Sequence, residues 1–242
     1  VILKYPTIKA AFRCEEGAMK SRIICCKILL LVVFISLQGF AGDNGTWKMI
    51  KDARGVKVYS RPYPGSDYKE LYADGYEVVP FEVGVEFVKD CDAYHEWYGM
   101  CKELYVIKKY SEREYDMYFV LDVPVVTDRD LVVKVKSWWD IEKGDGWVTI
   151  DSMKSDYKKD SGCVRMPEMH GKFTFKRYEN DKIYVKYWLH AEMGGSLPAW
   201  VVNIAATNHP FLTAVGAKRN VHKKQYFEQA GRIHGKQFVQ AE

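Results

Sequence analysis

Between Glu103 and Glu192 the chain three times sets two runs of alternating apolar and polar residues on either side of a loop of three to five residues. The loops are residues 111–114, 142–146 and 179–181. A connection that short cannot carry the chain to a parallel neighbour, so each pair of runs is an antiparallel hairpin. The predicted strands are 103–110, 115–123, 129–139, 147–154, 172–178 and 183–192, preceded by 56–59 and 68–79, about eight in all. Helices are predicted at 47–53, ended by Arg54 and Gly55, at 80–88 behind Pro80, and at 196–230. Residues 90–100 read as an aromatic helix-turn.

The alternation also assigns faces. Arg129, Leu131, Val133 and Val135 share one face, and Asp130, Lys134 and Lys136 fall on the other. Ile183, Val185, Tyr187 and Leu189 are likewise opposed to Lys186, His190 and Glu192, which places His190 towards solvent. A sheet with one dry face needs a cover. The last helix is the candidate. Gly194 and Gly195 break the preceding strand, Ser196 can cap, and Pro198 sits in the first turn. At about 100° per residue, Trp200, Ile204, Thr207, Phe211, Ala214 and Val215 form one stripe. Pro210 favours a kink, and the stripe fades into Lys218, Arg219, His222, Lys223 and Lys224, read as a solvated face. The fold class is therefore α+β, an antiparallel sheet gripping one C-terminal helix.

The first 41 residues do not count towards that core. Met19 to Lys27 is basic, residues 28–37 are apolar, and Gly39 and Ala41 put small residues at a cleavage site. This is the layout of a secretory leader, too short in its apolar run to span a bilayer. The chain then divides into residues 1–18, upstream of the start at Met19, the leader 19–41, the domain 46–230 and a tail 231–242. The expected destination is the periplasm. Removing 1–41 takes away six of 36 basic residues and two of 32 acidic ones, leaving 30 of each. No concentrated basic face asks for nucleic acid. Of the cysteines left, Cys91 and Cys101 could close a small loop, but Cys163 makes the number odd. Without a CxxC spacing the three read as small buried apolar residues, and with His95 they make a poor zinc site.

In order along the chain stand "GVKVYSR", "EWYGMCKELYVIKK", "VTDRDLV", "SGCVRM" and "GGSLPAW", and together they resemble the START domain, the lipid-transfer module of the helix-grip superfamily. "GVKVYSR" at 55–61 is similar to its first strand, and "EWYGMCKELYVIKK" at 96–109 to its helix-to-strand passage, with Trp97 as the signature tryptophan. "VTDRDLV" at 126–132, "SGCVRM" at 161–166 and "GGSLPAW" at 194–200 resemble its later landmarks. The resemblance implies a curved sheet around the closing helix, a tunnel for one lipid or sterol, a helix lid and transient membrane contact. It also implies an interior acid, at Glu103, with an arginine partner six residues beyond Arg129; Val135 stands there instead, so a sterol ligand is in doubt. Glu103 then pairs with Arg129, lies at the sheet rim or faces solvent.

The candidate ligand-contacting residues are Glu103, Arg129, Leu131, Val133, Val135, Tyr187, Leu189, Trp200, Ile204, Thr207 and Phe211. Arg129 reads as half of a structural ion pair, with Asp128 or Glu103 as partner. No nucleophile elbow, zinc-protease motif, phosphate loop or dinucleotide fingerprint is present, so no cofactor is implied. The expected function is binding, and possible transfer, of a single hydrophobic molecule without covalent chemistry. The alternatives are a helix-grip enzyme of the aromatase/cyclase type, with His170 or Glu103 in the cavity, and a partner-binding module with a filled core.

Overall fold

The computed structural model describes residues 45–123, 126–179, 181–197 and 199–239, with the backbone alone for 199–207. Ten strands among them form one sheet: β1 (Lys48–Ala53), β2 (Val56–Pro62), β3 (Lys69–Glu77), β4 (Cys101–Ser111), β5 (Glu114–Leu121), β6 (Arg129–Asp140), β7 (Asp145–Ser152), β8 (Val164–Arg165), β9 (Glu168–Glu179) and β10 (Lys182–Glu192). Their order is β1-β2-β3-β10-β9-β7-β6-β5-β4, antiparallel throughout. The two-residue β8 lies parallel beside the start of β6. All three short loops do close hairpins.

Residues 47–53 are a strand and not the expected helix. Arg54 and Gly55, which read as a helix stop, are both at positive φ, 52° and 69°. That is the backbone of a two-residue hairpin turn, and it folds β1 back on β2 with Ala53 opposite Val56.

The inner face is dry. Val58, Ala73, Val133, Val135, Ile150 and Tyr187 are all buried there. Helix α1 (Phe81–Lys89) opens behind Pro80 and contributes Phe81, Val85 and Phe87 to the same core. The next segment, Cys91–Glu96, is a 3₁₀ turn. The outer face carries its own small apolar cluster of Tyr118, Val120 and Val132.

The long closing helix is two helices, α2 (Ala199–Asn220) and α3 (Lys224–His234). α2 runs through Pro210 without ending. The chain breaks at 221–223 instead, and α3 turns Tyr226, Phe227 and Ala230 inward. The Tyr226 ring stands 5.4 Å from Phe87, and its hydroxyl donates to Asp90 at 3.0 Å. The predicted cap at Ser196 precedes the helix; Pro198 lies outside the described residues.

α2 is held against the segment that precedes β4 by backbone contact. A Cβ on Gly216 would stand 2.4 Å from the Trp97 carbonyl oxygen, and one on Gly99 2.7 Å from that of His209. The Gly99 N–H donates to the hydroxyl of fully buried Thr213 at 2.9 Å. His209, Thr213 and Gly216 thus present a small and polar stripe to residues 97–99, and buried Asn220 extends it by one turn of the helix. Gly216→Ala forces two rigid backbones apart and is expected to destabilise the protein by about 2 kcal/mol. Urea unfolding measures this; a midpoint equal to wild type would show that the contact has slack.

Candidate functional site

Where the inner face meets α1 and α2, small side chains leave a gap. Ala73 on β3, Gly84 on α1, and Ala214 and Ala217 on α2 border a cavity of about 100 Å³. Its wall is otherwise aromatic and aliphatic, with Trp97, Phe173, Phe175, Tyr187 and Ile183 prominent. Phe173 and Tyr187 stack with centroids 4.0 Å apart and planes 3° from parallel. The cavity is well below the roughly 300–1,000 Å³ of a pocket that encloses a drug-sized ligand. A lipid-sized guest requires it to widen.

The polar groups deepest beside it are uncharged. The Tyr98 and Tyr187 hydroxyls are 3.0 Å apart. Burial pushes both phenols above the ordinary tyrosine range. The buried Trp97 Nε1–H has no acceptor among the described residues. His209 is buried with its ring 5.0 Å from that of Tyr98, and its Nδ1 is unpartnered. Burial lowers its pKa to about 4, so it is neutral at physiological pH.

Charge gathers at the rim. Lys218 Nζ donates to the Tyr76 carbonyl at 2.7 Å and lies 2.5 Å from the Glu77 carboxylate. The other Glu77 oxygen is 2.6 Å from His222 Nε2. These contacts tie the end of α2 to the end of β3. Nearer the middle of α2, Lys51 reaches Asn208 at 3.4 Å and lies 3.7 Å over the Phe211 ring.

No protein-family model matches this chain. The uncharacterized protein PA1579 of Pseudomonas aeruginosa is 29% identical over 208 residues, which are 81% of this chain and 97% of that one. The crystal structure of a STAR-related lipid transfer protein fragment from Xanthomonas axonopodis superposes with a TM-score of 0.66 at 25% identity, covering 74% of this chain and 100% of that one. Human STARD10 gives 0.65 at 17% identity, covering 83% of each. The chain has a START-like, helix-grip fold.

Within this START-like fold the predicted site residues scatter. Tyr187 lines the cavity. Leu131, Val133, Val135 and Leu189 are buried in the core, but the cavity wall is drawn from other residues. On the β5–β6 side the interior is filled, for example by Tyr98 against Phe119 at 5.2 Å. Phe211 is buried beneath Lys51. The side chains of Trp200, Ile204 and Thr207 lie outside the described residues.

Glu103 is a correction. Its side chain is 49% exposed and pairs with Lys158 at 3.6 Å, away from the cavity. The reason is a register shift in β4 between Cys101 and Glu103, which resets the in–out alternation. It borders an outer-face recess of about 640 Å³ with Lys102, Asp128, Asp156 and Lys159. That rim mixes both signs of charge and does not suit an apolar guest.

Arg129 is buried, but neither Glu103 nor Asp128 pairs with it. Its guanidinium donates to the carbonyls of Thr127 and Met193, while Asp128 takes Lys102 at 2.6 Å. The ion pair of this motif belongs to Asp130. Arg165 Nε donates to it at 2.8 Å, Tyr118 at 2.9 Å and Ser161 at 2.8 Å. Burial raises the Asp130 pKa, and these hydrogen bonds outweigh it, leaving the carboxyl below its ordinary value. The network fastens residues 155–165 to the outer face.

The histidines also sort themselves. His170 is half-exposed between Asp151 at 2.8 Å and Glu168 at 3.0 Å. His190 faces outward as expected but is buried, because Tyr63 stacks on it at 3.6 Å. Cys91, Cys101 and Cys163 are free thiols. Burial pushes the Cys101 thiol up to about 12. No group of His, Cys, Asp or Glu among the described residues could hold a metal.

Sequence reasoning missed the trio of Tyr98, Tyr187 and His209 as a unit. The available signal was the second helical stripe at 209, 213, 216 and 220. His209 also makes a testable contribution to pH dependence. Its pKa falls from 6.5 to about 4 on folding, so the unfolded chain binds a proton that the folded chain refuses. Its share of stability is complete above about pH 6.5 and is lost towards pH 4, by roughly 3 kcal/mol. Urea midpoints at pH 7 and 4.5 are expected to differ less in His209→Gln than in wild type. An unchanged difference would assign the loss to other groups.

Proposed function

We propose that this protein binds one hydrophobic small molecule in the cavity beneath α2 and passes it on without covalent chemistry. The observation that supports this most is the cavity itself, an apolar space between a dry sheet face and a helix that covers it, in a START-like fold. The Xanthomonas protein of like structure is described as a lipid transfer protein.

Energetics fit reversible carriage. Each buried CH₂ contributes about 0.8 kcal/mol. A ten-carbon chain therefore gains about 8 kcal/mol, near the micromolar range before ordering costs are subtracted. Widening the cavity requires α2 to shift from the sheet or the lining rings to turn. The contacts of Lys218 and His222 with Glu77 are the fastenings beside the cavity that such a shift loosens. Export to the periplasm behind the leader 19–41, with brief membrane contact during exchange, completes the proposal.

Turnover is less well supported. A general base needs a partner that orients it and a proton within reach. His209 Nδ1 has no hydrogen-bond partner among the described residues, and Glu103 and His170 stand outside the cavity.

Mass spectrometry of organic extracts from the purified protein is expected to find a bound apolar molecule. Ala214→Phe, which fills the gap from the helix side, is expected to lower its occupancy at least tenfold with the fold retained by circular dichroism. No extractable molecule, together with no uptake of added lipid, would sink the proposal.

A further inference from the structure

Among the groups at the cavity are neutral donors that lack acceptors. The Tyr98–Tyr187 pair holds two hydroxyl hydrogens and makes one hydrogen bond between its members, at 3.0 Å. The second hydrogen has no acceptor among the described residues. Trp97, 7% exposed and part of the wall, has an Nε1–H that is likewise unused. Phe173 stands between these donors, its ring 4.0 Å from Tyr187 and 6.2 Å from Trp97. A buried donor left unpaired costs about 1–3 kcal/mol. By contrast, the other deep phenols are satisfied. Tyr115 donates to the Tyr94 hydroxyl at 3.2 Å, and Tyr94 donates to the Val88 carbonyl at 2.7 Å.

The charged groups that border the same wall are already engaged. Lys218 and Glu77 stand at the rim and are engaged with each other. Asp74, which also borders the space, accepts from Tyr72 at 2.7 Å and Tyr184 at 2.9 Å. His209 beside the phenols is neutral. A carboxylate or phosphate placed by Trp97 and Tyr187 would be desolvated with no cation to meet it, at high cost.

Resting on the cavity as the ligand site, we propose that its ligand is uncharged and carries an oxygen acceptor, a hydroxyl, ketone or ester, that meets Trp97 Nε1–H and the Tyr98–Tyr187 hydroxyls. The apolar remainder lies along Phe173, Phe175 and Ile183. The site selects neutral lipids over fatty-acid anions because the groups it offers a ligand oxygen are neutral donors, and its one cation, Lys218, is already paired with Glu77.

Four probes of equal chain length test this at pH 8 by calorimetric titration and competition: octan-1-ol, methyl octanoate, octanoate and octane. The alcohol and the ester are expected to bind at least tenfold more tightly than octanoate. Tyr98→Phe with Tyr187→Phe removes both hydroxyls together and leaves no orphaned partner, so the fold is expected to persist. That double variant is expected to lose fivefold or more in affinity for octan-1-ol and to keep its affinity for octane. Trp97→Phe is expected to weaken methyl octanoate similarly. Octanoate bound as tightly as the ester, or a double variant with unchanged affinity for the alcohol, overturns the neutral-acceptor assignment and leaves the cavity reading standing. Binding of none of the four overturns both.

Discussion

The backbone of α2 touches the backbone of residues 97–99 with no side chain between them. Two glycines, one on each side, make that possible, and Thr213 adds a hydrogen bond across the seam. Everything about the interior follows from this contact. It fixes how far the helix can approach the dry face of the sheet. The space left over is then set by side-chain size, and Ala73, Gly84, Ala214 and Ala217 leave it open. With large residues at those four places the same fold would have a filled core and no room to widen. The helix is therefore held on two sides, by the 97–99 segment and by the sheet, rather than laid as a lid on one.

Much of this was legible because antiparallel hairpins are local. The loops at 111–114, 142–146 and 179–181 each fixed a pair of neighbours, and the period of two along β10 put Tyr187 inward. Local reasoning failed where one residue changes the geometry. Arg54 and Gly55 look the same in sequence whether they end a helix or turn a hairpin. Glu103 follows a β-bulge, which alternation cannot see. His190 was correctly placed on the outer face, yet Tyr63, from a loop more than a hundred residues earlier, covers it.

The donor set was hidden for a different reason. Tyr98, Tyr187 and His209 come from a turn, a strand and a helix. No spacing links them; only the tertiary fold does. A single stripe drawn from Trp200 leaves His209 on the opposite side of the helix, and a helix gripped from two directions has two buried stripes. The second stripe is small and polar, so a search for greasy residues passes over it.

The register shifts of β4 have a meaning beyond the place of Glu103. β4 and β1 are the two open margins of the sheet, and both are irregular. β4 departs from regular pairing three times and carries Lys102, Lys108 and Lys109; β1 departs once and carries Lys48 and Lys51. A strand from another molecule needs a flat, evenly spaced row of amides to add itself to such a margin. Neither side offers one, so the two margins give a foreign strand nothing regular to pair with and present no template for aggregation.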